Sequence, residues 1–249
     1  MSGHSKWHNI RLRKGKQDAE RGKLFTRLGR EIIVAAKEGG GNPEANSRLR
    51  LAIEKARAAS MPADNIKRAI QRGTGEIEGS NYEEITYEGY GPAGVAITVR
   101  CLTDNRNRTV ADIRHIFSKC GGSLGETGCV GWLFNSKGLI TIPADQADEE
   151  TVFGIAAEAG AEDVTTEGDS IEVTTPPEAL NEVRVALANA GIPITESEIT
   201  MIPQSTVRVE GKEAEQVLRL MDMLEEYDDV QQVFANFDIP DDVLEAAGA

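Results

Sequence analysis

The sequence has few of the residues on which disulfide frameworks and membrane spans depend. Its 249 residues include only 3 cysteines, none in C-x-x-C spacing. This odd, small number favours a reducing compartment over a disulfide framework. The longest strongly apolar run, Ile32–Ala36, is far shorter than the ~20 residues that span a bilayer. The first residues also lack the apolar segment of a secretory signal. We therefore predict a cytoplasmic protein with no membrane segment.

Motifs for enzyme chemistry are also scarce. Residues 89–94 fit the pattern G-x-G-x-x-G, but they lie between two predicted strands. A dinucleotide-binding loop leads from a strand into a helix, so we interpret this segment as a hairpin turn. The Gly-rich residues 121–126 lack the Lys-Ser/Thr pair of a P-loop, and His4 and His8 have no third metal ligand nearby.

We accordingly predict no metal, no cofactor, no small-molecule substrate and no enzymatic activity. One alternative stays open, a hydrolase or transferase with a carboxylate pair in an acidic cleft. The acidic residues are too numerous for the sequence to single out such a pair.

Basic residues are concentrated at the N-terminal end of an acidic chain. Residues 1–75 contain 17 Lys and Arg against 7 Asp and Glu, and the remainder contains 10 basic and 34 acidic residues, for a net charge of −14. Such asymmetry indicates a polyanionic partner for the basic end. Residues 1–30 alone contain 9 basic residues and 2 acidic ones.

These 30 residues are candidate phosphate ligands, because Lys and Arg that bind nucleic acid release the counterions condensed on its backbone. An extended arm over residues 1–16 would follow a curved strand, and Trp7 would stack on a base. We predict that phosphates are bound by Lys6, Arg11, Arg13, Lys14, Lys16, Lys23, Arg27 and Arg30. The alternative is a solvated helix face with a tail that pairs with acidic residues. No helix-turn-helix, zinc finger or RNP motif predicts sequence readout.

A second polar cluster precedes a predicted helix. It consists of Arg100, Asn105, Arg106, Asn107 and Arg108. Guanidinium groups and backbone N–H groups at a helix start can hold a phosphate. The alternative, helix capping with ion pairs to acidic residues, is the interpretation that the residues alone favour.

The segment after the arm predicts a three-helix bundle. Apolar residues at helical spacing predict a helix over 18–37, ended by the glycines at 39–41. Asn42 and Pro43 predict the cap and first residue of a second helix that runs to about 59. Pro62 opens a third, closed by Gly73. None could bury its apolar face alone, so the three should pack together.

After residue 75 the pattern predicts α+β structure. Strands are expected over 82–88, 95–102 and 130–134, with a helix capped by Thr109 before the last. Residues 138–201 predict the order βαββαβ, the ferredoxin-like plan. A helix over 213–226 and a strand over 230–237 have no sheet of their own, so we expect them to complete the sheet of residues 82–134.

The predicted fold class is therefore α+β: a small helical bundle followed by two α+β, ferredoxin-like domains, one inserted in the other. The predicted boundaries are 1–78 for the arm and bundle, 79–135 plus 204–240 for one α+β domain, 136–203 for the inserted domain, and 241–249 for an acidic tail. Residues 220–249 contain nine acids and no Lys or Arg. This indicates a solvated surface; the alternative is a surface that limits unspecific binding or docks on basic ribosomal protein.

Five stretches of the sequence resemble the blocks of one family. They are GHSKWHNIRLRKGKQDAERGKLFTRLGREI, GYGPAGVAITVRCLTDNRNRT, GGSLGETGCVGWLF, MIPQSTV and VQQVFANFDIP. The chain resembles the YebC/PmpR family over residues 1–240, with Ala93 where the family commonly has glycine and Cys129 where it commonly has serine.

The resemblance implies a helical domain and two α+β domains, one inserted in the other, with no enzyme activity, metal or cofactor. It also implies a set of basic contact residues in this chain. They are Lys6, Arg11, Lys14, Arg21, Lys23, Arg27 and Arg30, with Arg106 and Arg108 in the block DNRNRT.

Two functions follow from the resemblance. One is a transcriptional regulator that binds promoter DNA. The other is a translation factor that acts on ribosomes stalled at proline-rich stretches, akin to a mitochondrial activator of cytochrome oxidase synthesis. We predict a non-enzymatic, nucleic-acid-binding regulator of gene expression, of the DNA-binding transcriptional kind. The alternative is the ribosome-associated factor, with ribosomal RNA or tRNA as its partner.

Overall fold

A computed structural model describes residues 19–79, 81–240 and 243 of the chain. Helices and mainly antiparallel sheets make up these residues, which confirms the α+β class. The chain divides into two compact units: residues 132–205 form one, and the described residues before 132 and after 205 form the other. The arm predicted for residues 1–16 lies outside the described residues, as does the predicted tail apart from Val243.

Three helices open the larger unit. They are α1 (Ala19–Gly39), α2 (Ser47–Ala58) and α3 (Ala63–Gly73). Ile32, Leu49 and Ala56 are fully buried where the helices meet. Gly73 lies at a close α1–α3 contact, because a Cβ there would be 2.4 Å from the carbonyl oxygen of Ile33. The predicted three-helix arrangement is therefore present, and glycine sets its closest approach.

The second helix begins later than predicted. Asn42 accepts a hydrogen bond from the backbone N–H of Glu44 at 3.0 Å, which makes a turn. The cap is Asn46, whose side chain accepts from the N–H of Leu49 at 3.0 Å and donates to the carbonyl of Ala35 in α1 at 2.8 Å. The start of α2 is therefore fixed by a contact with another helix, which the local sequence does not reveal.

The next elements are a hairpin and a helix. Strands β1 (Glu83–Tyr90) and β2 (Ala96–Thr103) pair antiparallel and are joined by a 3-10 turn over Pro92–Gly94. The G-x-G-x-x-G segment is thus a hairpin turn, as predicted. Helix α4 (Arg106–Lys119) leads to the short strand β3 (Ser123–Leu124), which pairs with β1.

Residues 132–205 form the predicted βαββαβ unit. Its elements are β4 (Phe134–Pro143), α5 (Glu149–Glu158), β5 (Asp163–Glu167), β6 (Ser170–Thr175), α6 (Leu180–Asn189) and β7 (Glu196–Pro203). The antiparallel sheet has the order β5-β6-β4-β7, which is the ferredoxin-like order. Ile140 pairs with Val173, and both are fully buried with Val183 of α6.

The two ends of this unit lie side by side. The backbone N–H of Gln204 donates to the carbonyl of Leu133 at 2.8 Å, and its side-chain amide donates to the carbonyl of Trp132 at 3.0 Å. The chain therefore enters and leaves residues 132–205 at one place.

The last part of the chain returns to the larger unit. It contains β8 (Val207–Arg208), α7 (Gly211–Glu226), β9 (Val230–Ala235) and β10 (Phe237–Asp238). β9 pairs antiparallel with β2 and completes the sheet β3-β1-β2-β9, the position expected for residues 230–237. Phe117 of α4 and Leu220 of α7 are fully buried in its core. The four domain boundaries stay a prediction.

Candidate nucleic-acid interface

A buried carboxylate, Asp229, fastens α1 to the α+β part of the larger unit. Its side chain is 3% exposed, with Arg30 Nη1 2.8 Å from Oδ1 and Arg108 Nη2 2.7 Å from Oδ2. The hydroxyl of Thr109 donates to Oδ2 at 2.8 Å. The expectation of a solvated acidic surface over residues 220–249 is therefore wrong at Asp229, since this acid is the internal partner of two cations.

These contacts favour the charged forms of Asp229 and Arg108. Burial raises the pKa of Asp229, but hydrogen bonds from Arg108 and Thr109 and the charge of Arg30 outweigh it, so the pKa lies below its usual value. The hydrogen bond to Asp229 raises the pKa of Arg108 in turn. Arg30 also stacks over the ring of Tyr82, 5.3 Å from its centroid. Arg30 is therefore held in one position at neutral pH.

A second ion network joins the bundle to the sheet. Arg48 of α2 contacts Glu31 at 2.9 Å, Glu38 at 2.7 Å and Glu84 of β1 at 2.7 Å. Arg100 of β2 lies 2.6 Å from Glu84. Glu31 and Glu38 of α1 are thus engaged by Arg48.

Of the predicted phosphate ligands, the structure describes the side chains of five, namely Lys23, Arg27, Arg30, Arg106 and Arg108, and it places these five in different surroundings. Outside the described part lie Lys6, Trp7, Arg11, Arg13, Lys14 and Lys16, and the side chain of Arg21. Lys23 is exposed, and Arg106 is exposed 3.9 Å from Glu83. Arg27 is half-buried and has contacts of its own. Arg30 and Arg108 are far apart in sequence and meet at Asp229, where the side chain of Arg30 is 13% exposed and that of Arg108 is 45% exposed, so a ligand has little access to Arg30.

The start of α4 matches the capping alternative. Asn105 accepts from the backbone N–H of Arg108 at 3.1 Å, so it caps the helix in place of Thr109. Arg108 also pairs with Asp104 at 3.1 Å, and Arg100 is engaged by Glu84. The polar cluster around residues 100–108 therefore supplies capping and internal ion pairs.

The sequence reasoning missed several exposed cations. Seven basic side chains of α1–α3 are exposed and form no ion pair with any residue that the structure describes: Lys23, which was a predicted ligand, and Lys37, Arg50, Arg57, Lys67, Arg68 and Arg72, which were not. Arg68 and Arg72 are four residues apart, so they share a face of α3. The signal was present, because the basic excess extends to residue 75 and not only through the first 30 residues.

Backbone N–H groups of loop 125–131 donate hydrogen bonds to a buried carboxylate, that of Glu88. The N–H groups of Gly128, Val130 and Gly131 donate to Glu88 at 3.0, 2.8 and 2.7 Å. Burial raises the pKa of Glu88, but these three bonds outweigh it and the pKa is lowered. The strand predicted over 130–134 is wrong for this reason: a carboxylate takes the donors of a sheet ladder, and a 3-10 helix (Gly131–Leu133) precedes β4.

Other reactive groups are protected or dispersed. Burial, and then the charge of Asp229, raises the pKa of Cys101 to about 12, so its thiol stays protonated at neutral pH. In the part of the chain that the structure covers, no three His, Cys, Asp or Glu residues are placed to share a metal ion. No helix of that part is long and apolar enough to cross a membrane.

Two family models match the chain. Residues 5–76 match the TACO1/YebC protein N-terminal domain, and residues 82–237 match the TACO1/YebC second and third domain. A protein of Natranaerobius thermophilus named "Probable transcriptional regulatory protein" is 58% identical over 248 residues, covering 98% of this chain and 99% of its own. One with the same name in Acidithiobacillus ferrooxidans is 59% identical over 244 residues, covering 98% and 97%.

A solved structure shares the fold. The crystal structure of a conserved hypothetical protein from Aquifex aeolicus has a TM-score of 0.82 and 53% identity to this chain, and it covers 90% of this chain and 93% of its own. The two family models together match residues 5–76 and 82–237, and the relatives are close to 60% identical along nearly the whole length. The chain therefore belongs to the TACO1/YebC family.

Proposed function

We propose that this protein is a cytoplasmic, non-enzymatic regulator of gene expression that binds nucleic acid, with promoter DNA as its target. The names of its relatives support the regulatory role. The observation that carries nucleic-acid binding is the presence of exposed cations on α1 and α3 without acidic partners among the described residues, although the chain as a whole has a net charge of −14.

The distribution of charge explains how an acidic protein could bind a polyanion. Charges more than ~8–10 Å apart in water are largely screened at physiological ionic strength. The charges close to a bound phosphate, such as those of Lys67, Arg68 and Arg72 on α3, therefore count for more than the net charge of the chain. The predicted ligands of residues 1–21 would extend this cationic surface along the nucleic acid.

The internal ion pairs give Arg30 and Arg108 a different role from the one predicted. Both are held by Asp229, so we assign them to fixing the orientation of α1. Lys23, Arg27 and Arg106 stay proposed ligands, together with Lys6, Trp7, Arg11, Arg13, Lys14, Lys16 and Arg21.

The alternative, a translation factor on ribosomes stalled at proline-rich stretches, uses the same phosphate chemistry. Gel shifts across a salt series test the primary proposal, in which one duplex sequence should outcompete unrelated DNA at physiological salt. Equal, low-salt-only binding to every duplex would remove the promoter target. Co-sedimentation with ribosomes in sucrose gradients, lost at high salt, would then favour the alternative.

A further inference from the structure

An open groove runs beside the contact of α1 with α3. Its volume is about 330 Å³, at the lower end of the ~300–1,000 Å³ typical of ligand sites. Apolar side chains from both sides form its floor, namely Phe25, Ile33 and Met61. Arg30 and Tyr82 also line it, and Arg30 is fixed there by Asp229.

The rim of the groove is cationic. Arg68 and Arg72 line it from successive turns of α3. Neither forms an ion pair with a residue that the structure describes. Arg72 also borders a neighbouring cavity of about 710 Å³ that Lys37 lines. Cations therefore follow the groove on one side, and its base is apolar.

Gly29 leaves the groove open. A glycine in a helix interior costs about 1 kcal/mol relative to alanine, so a helix of this length gains nothing in stability from it. A Cβ built on Gly29 meets no atom within 4 Å, so packing does not require the glycine. Its effect is to leave space above the apolar floor.

We propose that this groove binds a single-stranded segment of nucleic acid, with phosphates on Arg68 and Arg72 and an unstacked base against the floor beside Gly29. The inference rests on the nucleic-acid binding of the proposed function, and it adds a site for an unpaired strand to the duplex target proposed there. None of Gly29, Arg68 and Arg72 was among the ligands expected from the sequence.

The shape and chemistry of the groove favour a single strand over a duplex. Packed helices have axes ~8–10 Å apart, so the groove between α1 and α3 is narrow. A duplex keeps its bases stacked inside and would reach only the cationic rim. A single strand can place a base on the apolar floor while its backbone contacts arginines.

The first test fills the groove without changing charge. Gly29→Leu places a side chain in the open space, and Gly22→Leu makes the same change on the same helix outside the groove lining; its Cβ also meets no atom within 4 Å. We expect Gly29→Leu to weaken binding of a fluorescent 12-mer of oligo-uridine by about 10-fold, the size of one lost base contact. Gly22→Leu should bind like the unaltered chain. Thermal melting checks that both variants are folded.

The second test removes the cations of the rim. Arg68→Gln with Arg72→Gln should reduce the slope of log K against log salt by about 1.4 on the single strand, for two lost phosphate contacts. Arg50→Gln with Arg57→Gln removes two exposed charges of α2 that do not line the groove and should reduce the slope less.

The outcomes separate this inference from the proposed function. If the unaltered chain binds neither single strand nor duplex, the proposed function itself is wrong. If it binds nucleic acid but Gly29→Leu and Gly22→Leu bind alike, the groove is not the site. The inference would also be overturned if Gly29→Leu weakened the binding of matched duplex and of single strand equally. It would likewise be overturned if uridine monophosphate competed as strongly per nucleotide as the 12-mer does.

Discussion

Ala93 is one of two non-glycine residues with left-handed backbone among those that the structure describes, at φ 57°. This conformation costs an alanine roughly 1–2 kcal/mol, whereas glycine adopts it freely. A glycine at this position would adopt the turn without that cost, in keeping with the expectation from the YebC/PmpR resemblance that glycine is common here.

Ala93→Gly should therefore stabilise the protein. The relief of strain is offset partly by the greater freedom of glycine in the unfolded chain, so we expect the free energy of unfolding to rise by ~0.5–1 kcal/mol. Urea denaturation measures it. Ala58→Gly, at the helical end of α2, should instead lower that free energy by about 1 kcal/mol. A loss of stability in Ala93→Gly would contradict the assigned turn geometry.

Asp229→Asn should destabilise the larger unit because it leaves the largely buried guanidinium of Arg30 and the partly exposed one of Arg108 without their carboxylate. Removing one partner of such a pair costs about 3–5 kcal/mol. The neighbouring Asp228 is exposed, so Asp228→Asn should change the free energy of unfolding by less than ~0.5 kcal/mol.

The same variant should change the response to acid. Since the folded pKa of Asp229 is lowered, its contribution is complete above the unfolded pKa of ~3.9 and is lost as pH falls through the folded value. Asp229→Asn should therefore show a shallower loss of stability below about pH 4 than the unaltered chain. Parallel acid curves for the two proteins would refute this role.

Asp228 and Asp229 show what the sequence alone could not predict. Asp228 and Asp229 are adjacent acids in the same acidic segment, yet one is exposed and the other is 2% exposed. The difference arises from Arg30 and Arg108, which are far away in sequence. Composition and spacing predicted an acidic surface, and neither contains the information that pairs one acid with two distant cations.

At the scale of elements, a helix or strand was predictable where the spacing of its own apolar residues determines its structure. This holds for α1, the hairpin of β1 and β2, and the βαββαβ unit. The prediction is wrong at residues 130–134, where Glu88 takes the backbone donors, and at the start of α2, where Asn46 bonds to α1. In both cases a tertiary hydrogen bond decided the local structure.

The packing of α1 on α3 gives an element-scale prediction. In Gly73→Ala the new methyl group would meet the carbonyl of Ile33 at 2.4 Å and the Cβ of Ala36 at 2.7 Å. We expect the free energy of unfolding to fall by about 1–3 kcal/mol as the helices separate. Gly22→Ala, which meets nothing within 4 Å, should instead raise it by up to ~1 kcal/mol. Chemical denaturation compares the two, and equal effects would contradict the close contact.

At the scale of the whole molecule, the fold class and the separation of charge followed from the sequence, and the site followed only in part. The excess of basic residues at the N-terminal end predicted exposed cations there, and the helices α1–α3 carry such cations. It did not identify the exposed cations of α3, because the sequence does not distinguish a basic residue in an internal ion pair from one at the surface. Arg30 and Arg68 illustrate the two cases.

The concentration of basic residues at the N-terminal end leads to a prediction about the salt dependence of nucleic-acid binding. Arg11→Gln with Lys14→Gln should flatten the slope of log K against log salt by up to about 0.9 per lost duplex phosphate contact, or about 0.7 on a single strand. Arg114→Gln with Lys119→Gln alters net charge equally on exposed positions of α4 and should leave the slope unchanged. Identical slopes for both pairs would mean that the N-terminal arm does not touch the polyanion. Fluorescence anisotropy at four or more salt concentrations provides the measurement.

The hydrogen bonds of Gln204 to Trp132 and Leu133 hold the two ends of residues 132–205 next to each other, so we expect that this unit can be removed from the chain. Because the two crossings are neighbours, splicing Gly131 to Thr206 through a few glycines would excise seventy-four residues without stretching the backbone that remains.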